Sequence, residues 1–236
     1  MQTTHWLVLF DIDGTLLHSE GCGRAATELA MQDVFGTAGL LDAIHFAGKT
    51  DWQILRESLE PGGTSPDDVQ SQLSRYDQAL ARRIDELIVE FPVRPCVGAP
   101  DVVAALRTRP DVVIGLVTGN MAGIVAPKLR AAGYDPADFK IGAFGSEGWE
   151  RGMLPPLALQ RARDYAGVDF APEQIVIIGD TPSDIACAAS VGARTIAVAT
   201  GPFSVAELQT HNPTYAFESM ADHAAVLAAI FDGQAL

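Results

Sequence analysis

Apolar and polar positions divide this chain into blocks of different period. The first is Leu7-Val-Leu-Phe10, an unbroken β-rich apolar run that stops at Asp11-Ile-Asp-Gly-Thr15. A short run bounded by a turn signal predicts a buried strand. From Arg24 to Phe91 no stretch reads as a strand. Arg24 to Phe35 predicts a helix stopped by Gly36, and Asp51 to Leu59 a second, stopped by Pro61-Gly-Gly63. A third begins at Ser65-Pro-Asp-Asp68, where Ser65 suits the N-cap, Pro66 the first turn, and the acids the helix dipole. Its apolar stripe is Val69, Leu73, Tyr76, Leu80, Ile84, Leu87 and Phe91, at intervals of three or four.

Phe91 to Pro100, rich in proline, reads as a return hinge, with Gly21 and Gly23 at the outward crossing. Beyond it strands and helices alternate, the pattern of a parallel sheet with crossover helices. The predicted helices are Asp101 to Thr108, Met121 to Ala132, Pro156 to Ala166, Ser183 to Val191, and one from Met220 capped by Ser219. Pro127 must then fall in a first turn or kink its helix. The predicted strands are Val112 to Val117, Ile141 to Phe144, Ile175 to Ile178, Thr195 to Ala199 and Tyr215 to Phe217. The fold class is α/β, a Rossmann-like parallel sheet with helices on both faces, built from residues 1–18 and 93–236. Residues 19–92 form a helical cap inserted after the first strand.

Composition narrows the partners. With 16 basic and 30 acidic residues, net −14, the 236-residue chain is ill suited to nucleic acid or an anionic membrane surface. No stretch approaches a membrane span, and no signal peptide is expected at the start. Cys22, Cys96 and Cys187 form no CxxC pair and read as small buried hydrophobes. The five histidines lack metal-ligand spacing. A cytoplasmic setting is expected; the oligomeric state is left open, and a monomer is compatible with the sequence.

The chemistry sits at strand ends, where open α/β sheets bind ligands. Asp11 and Asp13 emerge together at the tip of the first strand. At about 4 Å and an effective dielectric near 20 their repulsion is on the order of 4 kcal/mol, which a hard cation such as Mg²⁺ would offset. Thr118-Gly-Asn120 follows an apolar strand and offers a hydroxyl and amides to a phosphoryl oxygen, or else a plain turn with Asn120 as N-cap. Gly179-Asp-Thr-Pro-Ser-Asp184 puts one carboxylate at a strand tip and another in the following first turn.

In this order the three segments resemble the first, second and fourth motifs of the haloacid dehalogenase superfamily, and the resemblance extends over essentially the whole chain. It implies a nucleophilic Asp11 that forms an aspartyl phosphate, and an Asp13 that serves as acid and then base. Thr118 would bind the phosphoryl group, with Gly14, Thr15, Gly119 and Asn120 around it. Mg²⁺ would be held by Asp11, Asp13 (through its carbonyl), Asp180 and Asp184. The third motif departs from the family: Gly148 to Pro156 contains no lysine, and Arg151 is the nearest cation. Arg151 then either faces the phosphate or pairs with Glu150 on the surface. Lys49, in Gly48-Lys-Thr-Asp51 between two cap helices, would meet the substrate, or the segment would simply cap a helix; Arg24 beside the hinge is a further candidate. The expected activity is Mg²⁺-dependent hydrolysis of a small phosphorylated metabolite, as in phosphoglycolate phosphatases. A mutase like β-phosphoglucomutase and a non-catalytic phosphate-binding regulator remain the alternatives.

Overall fold

The computed structural model describes residues 5–232; residues 1–4 and 233–236, assigned to the core from sequence, lie outside them. The opening apolar run is strand β1 (Trp6–Phe10), every residue of it buried. Its side chains alternate between two cores, Trp6, Val8 and Phe10 on one face and Leu7 and Leu9 on the other. Burial on both faces explains why the strand is apolar without interruption.

The chain then crosses outward through a two-residue strand, β2 (Leu17–His18). Helices α1 (Cys22–Phe35), α2 (Asp51–Leu59) and α3 (Pro66–Leu87) follow. Ser65 caps α3 by accepting from the Asp68 N–H at 3.1 Å. Val69, Leu73, Tyr76, Leu80 and Ile84 are all buried against α1 and α2, with Leu87 and Phe91 packed at the edge. The return crossing is β3 (Arg94–Pro95), antiparallel to β2. This small ribbon escapes the sequence pattern because two residues carry no periodicity.

The remaining elements are α4 (Ala99–Arg107), β4 (Val112–Val117), α5 (Ala122–Ala131), β5 (Ile141–Ala143), α6 (Leu154–Ala166), β6 (Ile175–Gly179), α7 (Pro182–Cys187), β7 (Arg194–Val198), α8 (Val205–Gln209), β8 (Tyr215–Phe217) and α9 (His223–Ile230). The sheet is six-stranded in the order β5-β4-β1-β6-β7-β8, with every pairing parallel. Helices cover both faces: Val102, Leu106, Val226 and Ile230 lie with the Phe10 face, and Leu154, Ala158 and Ala162 with the Leu9 face.

Three local expectations are corrected. The last helix starts at His223 with Asp222 as its cap, because the Asp222 carboxylate accepts from the Ala225 N–H at 3.0 Å, whereas Ser219 reaches only Ala221. Pro127 lies at the sixth position of α5, past the first turn. The Ser183 to Val191 segment is a short α7 that tightens into a 3₁₀ turn over Ala188–Val191.

Candidate active site

Strands β4, β1 and β6 are neighbours, and each ends in one of the polar segments. Parallel strands in register deliver those ends to one edge, so residues far apart in sequence meet there. Gly14 turns the chain out of β1 at φ 82°, and any side chain at that position would collide with the Asp180 carboxylate. Glycine is therefore required twice over, by backbone conformation and by space.

Asp11, Asp180 and Asp184 are buried and offer carboxylate oxygens that all lie within 4.8 Å of one another. Burial first, then repulsion from Asp184 and Asp13 against the pull of Arg151, raises the Asp11 pKa to about 6. Burial and the charges of Asp184 and Asp11 push Asp180 well above the usual carboxylate range. Thr15 donates to Asp180 Oδ1 at 2.9 Å. Asp184 is fixed by a reciprocal box: its Oδ2 accepts from the Thr181 N–H at 3.0 Å and the Thr181 hydroxyl at 2.6 Å, and Pro182 opens the helix.

Arg151 is 7% exposed and opens a 3₁₀ turn ahead of α6. Its Nη2 lies 2.9 Å from Asp11 Oδ1 and also bonds Asp184. It faces the acids and not Glu150. Three carboxylates against one guanidinium leave two negative charges in excess, all in oxygen ligands. That donor set fits a hard divalent cation such as Mg²⁺.

Asp13 lies among different partners. Lys128, 2% exposed on α5, donates to its Oδ1 at 2.6 Å and to Asn120 Oδ1 at 2.9 Å. Asn120 Nδ2 donates to Asp13 Oδ2 and to Thr118 Oγ1, both at 2.8 Å, and Ser19 to Asp13 Oδ1 at 3.3 Å. Burial opposes ionisation of Asp13, but the Lys128 ammonium and these hydrogen bonds hold its carboxyl below the usual range. Asn120 therefore does not cap α5. The N–H groups at that helix end are met by cap carboxylates instead: Met121 donates to Asp51 Oδ2 at 2.7 Å and Gly123 to Asp77 Oδ1 at 2.9 Å.

Lys128, Asp51 and Ser19 were not singled out from the sequence as site residues. Lys128 did leave a signal: it follows Ile124 by four and Val125 by three in an apolar run, so it lies near the buried face of α5.

These groups border one cavity of about 400 Å³ between the sheet edge and the segment that carries α1 to α3, here called the cap. Asp11, Asp13, Gly14, Thr118, Gly119, Asn120, Arg151 and Asp180 line it from the core, and Arg24, Lys49 and Asp51 from the cap. Thr15 and Asp184 stand behind this wall, on Asp180 and Arg151. Thr50 caps α2 by accepting from the Gln53 N–H at 3.1 Å, so Gly48 to Asp51 does serve as a helix start. Lys49 and Arg24 reach the cavity with their charges engaged inside the cap, Lys49 on Glu57 and Arg24 on the Leu41 and Ile44 carbonyls.

Residues 8–189 match the family of haloacid dehalogenase-like hydrolases. The chain belongs to this family and is an enzyme of its phosphatase type. Among the relatives it resembles is the phosphoglycolate phosphatase of Pseudomonas putida, 30% identical over 83% of this chain and 70% of that protein. Among solved structures, CbbY of Rhodobacter sphaeroides in complex with xylulose-1,5-bisphosphate has a TM-score of 0.69 at 19% identity, covering 93% of this chain and 96% of that one. A hydrolase from Pseudomonas syringae has a TM-score of 0.68 at 16% identity, covering 95% and 99%. At such identities the agreement is one of fold.

Proposed function

We propose that this chain hydrolyses a small-molecule phosphate monoester through an aspartyl phosphate on Asp11, with Mg²⁺ held by Asp11, Asp180, Asp184 and the Asp13 carbonyl. The observation that carries the reading is the Asp11 carboxylate at the floor of the cavity, against Arg151 and beside two further buried acids. When bound, Mg²⁺ supplies neutralising charge that lets a carboxylate approach a phosphate dianion.

The chain's own groups account for the rest. Asp11 attacks phosphorus while the bond from phosphorus to the leaving oxygen breaks, and Asp13, ionised in the free site, passes that oxygen a proton it takes up as the negatively charged substrate enters beside it. Asp13, now ionised, takes a proton from the water that attacks the aspartyl phosphate. The bond to Asp11 then breaks and inorganic phosphate is released. Thr118, whose Oγ1 accepts from Asn120, keeps its hydroxyl proton for a phosphoryl oxygen. Arg151 presents a planar donor to the charge that develops between nucleophile and phosphate.

Residues 19–92 act in this reading as the cap that excludes water. Support for these bounds is the β2–β3 ribbon, where both crossings run side by side. Among the described residues no helix is long and apolar enough to cross a membrane. We place the enzyme in the cytoplasm, with its described cysteines unpaired.

The named relative makes phosphoglycolate a first substrate to assay, beside a generic aryl phosphate. Mg²⁺-dependent release of phosphate, abolished by a chelator and by Asp11→Asn in a protein with unchanged circular dichroism, is expected. Turnover by folded Asp11→Asn would overturn the covalent route.

A further inference from the structure

Once the phosphoryl group is placed over Asp11 and Thr118, the leaving group has to occupy the rest of the cavity. That part is bounded by Thr27, Phe46, Asp51 and Ile54 of the cap and by Ile124 of α5. Its apolar walls suit a carbon skeleton, so charge decides what else the skeleton carries.

Four Lys and Arg side chains border the whole cavity among the described residues, beside His18, and each of the four already has a carboxylate. Arg151 pairs with Asp11 and Asp184, and Lys128 with Asp13. Lys49 pairs with Glu57, which Gln53 also holds by donating at 2.8 Å. Arg24 pairs with Asp42 at 3.4 Å, donates to the Leu41 carbonyl at 2.8 Å and the Ile44 carbonyl at 3.2 Å, and lies over the Phe46 ring at 5.0 Å. A carboxylate on the leaving group would have to displace one of these partners.

Asp51 is in the opposite position. It is 9% exposed, and no cation lies within ion-pair distance of it among the described residues. One oxygen, Oδ2, accepts from the Met121 N–H at 2.7 Å. Burial raises its pKa to about 7 against the pull of that backbone bond and of Lys128, with smaller pushes from the charges of Asp13 and Asp77. In its ionised form, which prevails above about pH 7, Asp51 is a buried acceptor with lone pairs to fill that selects for donors and repels an anion.

Resting on the phosphatase reading, we infer that the leaving group is an uncharged alcohol bearing further hydroxyl groups, and that Asp51 is the residue that reads them. Thr27, buried beside the cavity, supplies a second polar point on the same wall. An anionic leaving group such as glycolate meets a carboxylate there and, among the described residues, no lysine or arginine of the cavity wall without a carboxylate partner.

The test is a comparison of kcat/KM for glycerol 3-phosphate, phosphoglycolate and p-nitrophenyl phosphate, each with Mg²⁺, on the full chain and on Asp51→Asn. The amide oxygen can still accept from Met121, so the variant removes charge and leaves the backbone contact. The wild-type protein is expected to favour glycerol 3-phosphate over phosphoglycolate by about tenfold or more, and Asp51→Asn to shrink that ratio by a similar factor. Equal or better use of phosphoglycolate by the wild-type protein overturns the inference, and that comparison needs no folded variant. An unchanged ratio in folded Asp51→Asn removes Asp51 from the reading of the leaving group. Failure to hydrolyse any of the three esters, the aryl phosphate included, instead overturns the phosphatase reading.

Discussion

Arg151 is shared between two carboxylates, and its loss acts on each differently. Asp184 keeps the Thr181 N–H and hydroxyl, but Asp11 is left with the Ile12 N–H against burial and the repulsion of Asp184 and Asp13. Arg151→Ala is therefore expected to lower kcat/KM more than tenfold, about 1.4 kcal/mol of transition-state stabilisation, with part recovered in Arg151→Lys. Steady-state kinetics on the purified variants check this. The Lys128–Asp13 pair is unequal in another way. The Lys128 side chain is 2% exposed and that of Asp13 42%. Removing Lys128 leaves a carboxylate that water can reach, whereas removing the charge of Asp13 leaves a buried ammonium without its counter-ion. Asp13→Asn should thus destabilise the fold by more than Lys128→Met, on the order of 3 kcal/mol against about 1. Urea denaturation of both variants measures the order, and the reverse order would contradict the burial argument. Asp11, Asp180 and Thr118 were legible in the sequence because each follows a buried apolar run. Lys128 was only half legible: its place near the buried face of α5 could be read, but its partner lies 115 positions away.

The same contrast holds for whole elements. Strands β1, β4 and β6 declare themselves because central parallel strands are apolar on both faces, whereas β2 and β3 become strands only by meeting each other. The start of α5 was legible to within one residue, but what caps it was not. Its own N-cap, Met121, offers no side-chain bond, and the helix is capped by Asp51 and Asp77 from the cap helices. Docking of α2 is tied to it further, since the Asp51 N–H donates to the Gly119 carbonyl at 2.7 Å. A pH dependence follows from Asp51. Its folded pKa, about 7, stands above the ordinary 3.8, so the folded state binds its proton more tightly than the unfolded chain does. Its contribution to stability is fully present below 3.8 and is lost as the pH rises through about 7. Asp51→Asn, which has no proton to lose, should therefore gain stability relative to the wild-type protein across that window, by a few kcal/mol at most on the order given by about 1.4 per pH unit. Denaturation midpoints of the two proteins over this pH range provide the measurement, and parallel curves would count against the raised pKa.

At the scale of the molecule, three acids meet at one sheet edge with one arginine, and the chain as a whole carries net −14. Folding has to bring those acids together whether or not a cation is present, so Mg²⁺ should stabilise the folded state selectively. Thermal unfolding is expected to shift upward with Mg²⁺ in a saturable way, by about 2.7 kcal/mol at a hundredfold excess over Kd. The increment should shrink in Asp180→Asn, which removes one ligand charge while keeping an acceptor for Thr15. An equal shift in the variant would assign the effect to general screening of an acidic surface. The cap contributes its own hydrophobic cluster, reinforced by Met121 and Ile124 from α5, so two cores meet on one helix.

The β2–β3 ribbon carries an architectural consequence. Leu17 faces Pro95 and His18 faces Arg94, so the chain leaves the sheet and returns to it one strand-width apart. Seen from the sheet, everything from residue 19 to 92 is a long detour between two adjacent points. A tight turn in its place would close a short loop at small entropic cost and leave the order β5-β4-β1-β6-β7-β8 as it is. The chief apolar debt of such an excision is Met121 and Ile124, which would face water. Changes to the helices between the two crossings would alter what is admitted to the cavity, while the strand tips that hold Asp11, Thr118 and Asp180 keep their register.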